Sequence, residues 1–547
     1  MTIQTIDLEI SGMTCDHCSK TIENKVSAID GLVDVSVSYP DKRGKFQYDS
    51  DKTSATEIIT VINSIGSYKV VDDIKGLSDE NSKYDLIIIG GGSAAFSAAI
   101  KASEFKKKVL MINEGLPVGG TCVNVGCIPS KTLIRAAEQF HISNYPGFTG
   151  IKCGKSQIDF NDIIRQKTEL INGLRNAKYV DIIQDDPNVT FKKAFAKFFD
   201  KNTVEADGKK FTAENILIAT GSTTFIPTIP GLEEAGYLTN ENLYELKELP
   251  EHLIVIGGRY IALENAQMFA RFGSRLTILQ RSSRILYDEM PDVTETLREL
   301  LEAEGISILT DTKIKSVVKR EGKTLINVTV NGNDQVIEGT HIFVATGRMG
   351  NTKGCGLEKS GIKIHSGSFI DTNEFMQTSI PNIYAAGDVT GEYLFVYSAA
   401  YEGSLAVQNM YDEIKTKKDY AIFPWVVFTD PQIAGVGMDE SMAKNNKIEY
   451  EVSIIQLKDV PRSLAARNTK GFIKLIRNKE NDKLIGARIL ASEGSELLME
   501  ISLAIKYGIT VKELRKMFHP YLTLSEGVKL AAISFDKDVK KLSCCAM

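Results

Sequence analysis

Apolar and polar residues alternate along residues 3–10 and 31–38, while residues 18–29 and 55–65 place their apolar positions at helical spacing. The pattern predicts strand, helix, strand, strand, helix, strand over about seventy residues. The polar run KGLSDENSK, residues 75–83, then interrupts all periodicity and is expected to be a linker after a first domain of residues 1–74. At Tyr84 the texture changes. A continuous apolar strand, YDLIIIG, runs into GGGSAAFSAAIKA, and a second strand, KVLMINEG, follows. The same strand, glycine turn, helix and strand return as LIVIGGRYIALENAQMFARFG followed by RLTILQRSSR. From about Ala421 this rhythm stops, and the chain ends in the short polar segment FDKDVKKLSCCAM.

Composition narrows the classes of function. At 547 residues the chain predicts several domains, and 43% hydrophobic with 25% charged residues is the balance of a folded protein with ample core. A formal charge of −5 without a basic stripe predicts no nucleic-acid partner. The first residues, MTIQTIDLEISGMTC, lack the basic and apolar blocks of a secretory signal, and no apolar run is long enough to cross a bilayer. The expected location is therefore cytoplasmic, without membrane insertion. In that reducing compartment cysteines tend to be catalytic, redox-active or metal-binding. Six of the eight stand in close pairs, Cys15/Cys18, Cys122/Cys127 and Cys544/Cys545, with Cys153 and Cys355 alone and expected to be incidental thiols.

In the first glycine-rich turn, Gly90, Gly92 and Ala95 allow backbone amides at a helix start to approach a pyrophosphate, and Glu114 at the end of the next strand can accept from a ribose hydroxyl. The plain alternative is a tight turn. In the second unit Gly257 and Ala262 hold the first and third small positions, but Arg259 replaces the middle glycine, which leaves the nucleotide pose open there. The next strand ends in Gln280, followed by Arg281 and Arg284, where an NAD module would place a carboxylate. Guanidinium groups without a carboxylate suit a 2′-phosphate, so NADPH is expected over NADH; arginines that are merely solvated are the alternative.

The segment GGTCVNVGCIPSKTL carries Gly120, Thr121, Cys122, Cys127 and Lys131, and with ATGS (219–222), ATGRMGNT (345–352) and NIYAAGDVTG (382–391) it resembles the pyridine nucleotide–disulphide oxidoreductases. The resemblance implies FAD bound by the first unit with help from Gly221 and Asp388, and a nicotinamide-nucleotide domain closed at Gly347. It also implies a redox disulphide between Cys122 and Cys127 with Cys127 nearest the flavin, and Lys131 paired with Glu264. The implied fold class is α/β, with two Rossmann-like dinucleotide-binding domains and an α+β dimerisation domain, preceded by a ferredoxin-like βαββαβ metal-binding domain. The expected bounds are 84–225 with 350–420 for FAD, 226–349 for NADPH and 421–547 for dimerisation.

Disulphide reductases of that family carry a C-terminal histidine base backed by a glutamate. Here the segment reads HPYLTLSE: His519 remains and Glu526 matches the supporting glutamate, but Tyr521 stands at the position of the base. A phenol, with a reference pKa near ~10, is a poor base at neutral pH. Adjacent cysteines such as Cys544 and Cys545 have Cα atoms about 3.8 Å apart, too close for an unstrained disulphide, and free soft thiolates select soft metals. The tail LSCCAM, the segment LRNAKYVDII with Tyr179, and FVYSAAYEGSLAVQNM are similar to the mercuric reductases, although that family's tail usually ends in glycine; GMTCDHC (12–18) resembles the heavy-metal-associated domain. By that likeness Hg(II), delivered on small thiols, is the substrate, Tyr179 and Tyr521 flank it near Cys122 and Cys127, and all three cysteine pairs bind the metal in turn. It further implies a homodimer and upstream partners such as an organomercurial lyase or a mercury importer. Two other readings are a dithiol–disulphide oxidoreductase of the dihydrolipoamide dehydrogenase kind and a copper chaperone fused to another flavoprotein; neither accounts for all three pairs.

Overall fold

The computed structural model describes residues 3–66, 68–70, 83–152, 154 and 156–541. Most of the expected linker, Cys153, Cys544 and Cys545 therefore lie outside the described residues. The chain divides into two compact units, Met1–Pro129 with Arg165–Thr223 and Arg348–Lys418, and Ser130–Ile164 with Thr224–Gly347 and Asp419–Met547.

The first unit begins with β1 (Ile3–Ser11), α1 (Asp16–Val26), β2 (Leu32–Ser38), β3 (Arg43–Asp49), α2 (Ala55–Asn63) and β4 (Lys69–Val70). The antiparallel sheet runs β2-β3-β1-β4, and Leu8, Ile10, Ile22, Val26, Phe46, Ile58 and Ile62 close the core between sheet and helices. Helix α1 starts earlier than the apolar spacing predicts because extended Cys15 serves as its N-cap. It also stops earlier, where Ser27 Oγ bonds the Glu23 carbonyl at 2.7 Å and the chain leaves the helix.

The same unit continues with β5 (Lys83–Ile89), α3 (Ser93–Glu104) and β6 (Val109–Asn113). β5 lies between β6 and the strand Lys209–Ile218 and is parallel to both. Apolar residues on both of its faces are buried, which is why it reads as an unbroken apolar run rather than an alternating one. Helix Val396–Tyr411 packs along α3, and short Ile383–Ala385 extends the sheet beside Lys209–Ile218.

The second unit holds a parallel sheet ordered Ser307–Leu309, Arg275–Leu279, His252–Ile256, His341–Val344. A five-stranded antiparallel sheet follows, ordered Trp425–Val427, Gln432–Gly437, Leu484–Ala491, Phe472–Asn478, Tyr450–Gln456. Helices Leu498–Lys506 and Leu524–Ile533 pack on that sheet. The mixed α/β class expected from the sequence is the one observed, including the loss of βαβ order in the C-terminal part.

Candidate active site

The first nucleotide turn is built by close backbone approach. Gly90 has φ +134, and a Cβ there would lie 2.1 Å from the Ala219 carbonyl oxygen, so only glycine lets the two parallel strands end side by side. Gly92 is the extended N-cap of α3, with no side-chain cap and no acid in the first turn, so the helix presents its amides and positive dipole end. Ala95 is fully buried behind it, and Glu114 is exposed immediately after β6. Beside this turn the hydroxyl of Thr220 is buried without a hydrogen-bond partner. An uncapped helix start, a glycine cradle and an unsatisfied hydroxyl are what a dinucleotide pyrophosphate requires, so these residues fit FAD.

The cysteine segment is carried to the same place. Helix α4 (Gly120–Asn124) starts at Gly120, φ +57, whose missing side chain brings it against Gly92; a Cβ would meet the Gly92 Cα at 2.7 Å. Thr121 and Cys122 lie in α4, and Cys127 opens α5 (Cys127–Asn144). Both cysteines are half-buried. Cys127 stands in the first turn of this eighteen-residue helix, the end whose dipole attracts negative charge. Tyr179 sits in a single π turn, Asn176–Val180, edge-on to Phe96 at 4.8 Å. Burial raises its phenol pKa, and negative charge on Cys122 and then Cys127 raises it further, so the phenol and the two sulphurs share one electrostatic environment.

Asp388 follows the short strand Ile383–Ala385 and is held in the same unit by two residues that motif reading had not singled out. Ser222 Oγ donates to Asp388 Oδ2 at 2.7 Å, and Arg348 Nε donates to Ser222 Oγ at 2.6 Å while lying 3.6 Å from Asp388. Both lie inside the segments ATGS and ATGRMGNT, Ser222 directly after Gly221 and Arg348 directly after Gly347.

In the second unit Lys131 on α5 meets buried Glu264 at 2.7 Å, and the other Glu264 oxygen accepts the Phe428 amide at 2.8 Å. The pair implied by family resemblance is present. The second nucleotide turn repeats the first: Gly257 has φ +122, and a Cβ there would lie 2.3 Å from the Ala345 carbonyl oxygen. Helix Tyr260–Phe272 starts at Arg259 without a side-chain cap, and Ala262 is fully buried. Gln280 lies buried at the end of Arg275–Leu279, Arg281 is exposed, and Arg284 donates to the Tyr287 and Glu289 carbonyls at 3.4 Å. A glycine cradle with guanidinium groups and no carboxylate at the strand end fits a nucleotide bearing a 2′-phosphate.

Near the C-terminus Tyr521 is about half exposed. His519 Nε2 lies 2.6 Å from Glu500 Oε1, whereas buried Glu526 accepts the Leu522 amide at 3.1 Å. The glutamate therefore braces the backbone next to Tyr521 and holds no imidazole.

In the N-terminal domain exposed Cys15 and buried Cys18 flank the start of α1 with sulphurs 3.7 Å apart. Burial opposes ionisation of Cys18, but hydrogen bonds from Tyr68, Thr14 and Cys15 outweigh it and lower its pKa to about 6. Cys18 is thus a thiolate at neutral pH, and Tyr68, which gave no signal in sequence, is pushed up to about 12 chiefly by that hydrogen bond. Among the described residues no group of three or more Cys, His, Asp and Glu gathers as a metal site, so this loop offers two sulphurs. Cys355 is buried and its pKa is raised by burial and Glu358, as suits an unreactive core thiol.

Comparison with known proteins follows the same division. The pyridine nucleotide-disulphide oxidoreductase family matches residues 84–403, its dimerisation domain 423–532, and the heavy-metal-associated domain 7–67. The chain is 41% identical over 543 residues to a mercuric reductase of Lysinibacillus sphaericus, covering 98% of this chain and 99% of the relative. It is 40% identical over 553 residues to one of Staphylococcus aureus, covering all of both. Among solved structures, the Cu(II) complex of the HOCl-induced flavoprotein disulfide reductase RclA from Escherichia coli superposes with a TM-score of 0.76 at 28% identity, covering 83% of this chain and 100% of that one.

Proposed function

This chain belongs to the pyridine nucleotide-disulphide oxidoreductases and, within them, to the mercuric reductases, and from that premise we propose that its cysteine pairs pass Hg(II) inward to a flavin that NADPH reduces. The overall reaction is NADPH + Hg(II) → NADP⁺ + Hg(0) + H⁺. FAD, when bound, transfers the two electrons from nicotinamide to metal. The observation that carries the reading is Cys122 on α4 and Cys127 at the start of the long α5, beside a phenol whose ionisation is suppressed, with Tyr521 rather than an imidazole at the C-terminal base position.

Each pair contributes through ligand exchange. Cys15 and Cys18 capture Hg(II) from small thiols, the low pKa of Cys18 supplying a thiolate without a separate base. Cys544 and Cys545 receive the metal and deliver it to Cys122 and Cys127, where Tyr179 and Tyr521 flank it. The Gly90 turn, Gly120, Thr121, Gly221 and Asp388 hold FAD; Gly257, Ala262, Arg281, Arg284 and Gly347 hold NADPH; Lys131, fixed by Glu264, keeps a positive charge beside the flavin. The tail of one subunit completes the site of the other in a homodimer. Self-association is supported by the dimerisation domain and by exposed Met499, Leu503, Tyr507, Phe518 and Leu522 on its surface. Among the described residues no helix is long and apolar enough to cross a membrane. Work in the cytoplasm, supplied by a mercury importer or an organomercurial lyase, completes the proposal.

The test is NADPH oxidation by the full chain with excess small thiol, offered Hg(II), Cu(II), lipoamide or oxidised glutathione, with volatile mercury trapped. Hg(0) release matching NADPH consumption, and lost in a Cys544→Ala/Cys545→Ala chain, is the expected result. Turnover confined to a disulphide substrate would overturn the proposal.

A further inference from the structure

Arg259 occupies the position where the first nucleotide turn has Gly92, yet its backbone is extended, φ −108, so no glycine is needed there for conformation. Its side chain leaves the helix start and runs to the loop after strand Arg275–Leu279. There the guanidinium lies 5.3 Å over the Tyr287 ring, within 3.5 Å of the Tyr287 hydroxyl, and 2.5 Å from Asp288 Oδ2. That loop is tied to the glycine turn, since Leu286 donates to the Gly258 carbonyl at 2.9 Å. Arg284 reaches the same loop from the other side, bonding the Tyr287 and Glu289 carbonyls. The end of this strand is where a dinucleotide's adenine ribose falls in such a module.

We propose that Arg259 is a specificity-determining residue whose guanidinium, held against Tyr287, binds the 2′-phosphate of NADPH together with Arg281 and Arg284. The assignment rests on the reading of NADPH as the reductant. The pyrophosphate is served by the amides of the uncapped helix Tyr260–Phe272, while the Arg259 guanidinium, 5.9 Å over the Tyr260 ring, makes its nearer contacts with Tyr287 and Asp288 in the loop after the next strand, so its charge serves the ribose end. Tyr287, with its ring 5.3 Å from the guanidinium and its hydroxyl within 3.5 Å, holds that charge beside the loop. Asp288 is the counter-ion of this guanidinium. Both partners of that ion pair are about half exposed, which makes it weak and easily exchanged. A 2′-phosphate carries about twice the charge of a carboxylate and offers three oxygens, and it displaces Asp288 from Arg259.

Equilibrium binding of NADP⁺ and NAD⁺ to the oxidised, FAD-loaded chain tests this without turnover. Arg259→Ala is expected to weaken NADP⁺ roughly tenfold, the loss of one charge-assisted contact, and to leave NAD⁺ within about twofold. Asp288→Asn, which removes the competing carboxylate, is expected to tighten NADP⁺ by about twofold to threefold and not NAD⁺. Equal losses for both nucleotides in Arg259→Ala would place the guanidinium on the pyrophosphate and overturn the assignment, as would an unchanged preference for NADP⁺. A wild-type chain that binds both nucleotides equally would overturn the NADPH reading itself, and this assignment with it.

Discussion

The two glycine turns are the same device put to different use. In each, the first glycine has a positive φ and lies so near a neighbouring strand's carbonyl that a Cβ would stand 2.1 Å from Ala219 in one case and 2.3 Å from Ala345 in the other. The middle position differs. At Gly92 a Cβ would meet nothing nearer than the Gly120 Cα at 3.9 Å, and it is Gly120, φ +57, that must lack a side chain to approach it; in the second turn Arg259 fills the same position with a side chain that extends to Tyr287 and Asp288. Two separable reasons thus govern these positions: strand closeness, which demands glycine first in both turns, and the chemistry of the middle residue, bare backbone in the first and a guanidinium in the second.

Substitutions separate those reasons. The largest effect is expected for Gly90→Ala, where overpacking against a carbonyl and a left-handed φ together cost on the order of 3 kcal/mol. The purified chain should lack flavin absorbance and melt earlier; full flavin content at an unchanged Tm would show that strand closeness is not the constraint. Gly257→Ala carries a similar local clash but in the other unit, so the chain should remain yellow while NADP⁺ binding falls by about tenfold or more, as read by titration. Flavin loss here would erase the distinction between the turns. Arg348→Ala removes the brace on Ser222 and Asp388 and, at about 1–1.5 kcal/mol for such hydrogen bonds, should raise the FAD dissociation constant roughly tenfold with NADP⁺ binding intact. The smallest effect is expected for Gln280→Glu. A carboxylate at the strand end repels a 2′-phosphate and accepts from a ribose hydroxyl, so the NADP⁺ to NAD⁺ preference should drop by roughly threefold to tenfold.

The parts of this protein that sequence made legible are those whose cause is local. Alternation and helical spacing gave the βαββαβ order of the first domain, and the unbroken LIII run announced a strand buried on both faces. Cysteine spacing marked Cys15/Cys18, because two thiols at a helix start owe their 3.7 Å separation to the few residues between them, and Cys122 and Cys127, which stand on successive helices. Boundaries were less legible: α1 shifts toward the N-terminus of its apolar stripe because its ends are decided by the Cys15 cap and the Ser27 hydroxyl rather than by hydrophobic spacing. Tyr68 at Cys18 and Glu500 at His519 could not be read at all, since no pattern distinguishes them from other surface residues.

By itself, then, the chain's sequence determined the order of its elements, the positions that demand glycine, and which residues bring thiol and guanidinium chemistry, all consequences of backbone sterics and short-range periodicity. Tertiary structure alone decided who meets whom. Ser222 and Arg348 with Asp388, His519 with Glu500, and Glu526 with the backbone beside Tyr521 each join residues whose contact depends on where strands and helices pack. A single such contact contributes only about 1 kcal/mol, so no pair selects itself from the sequence. The closure of whole cores, summed over many buried apolar side chains, sets the backbone first, and the polar partners are those it brings within reach.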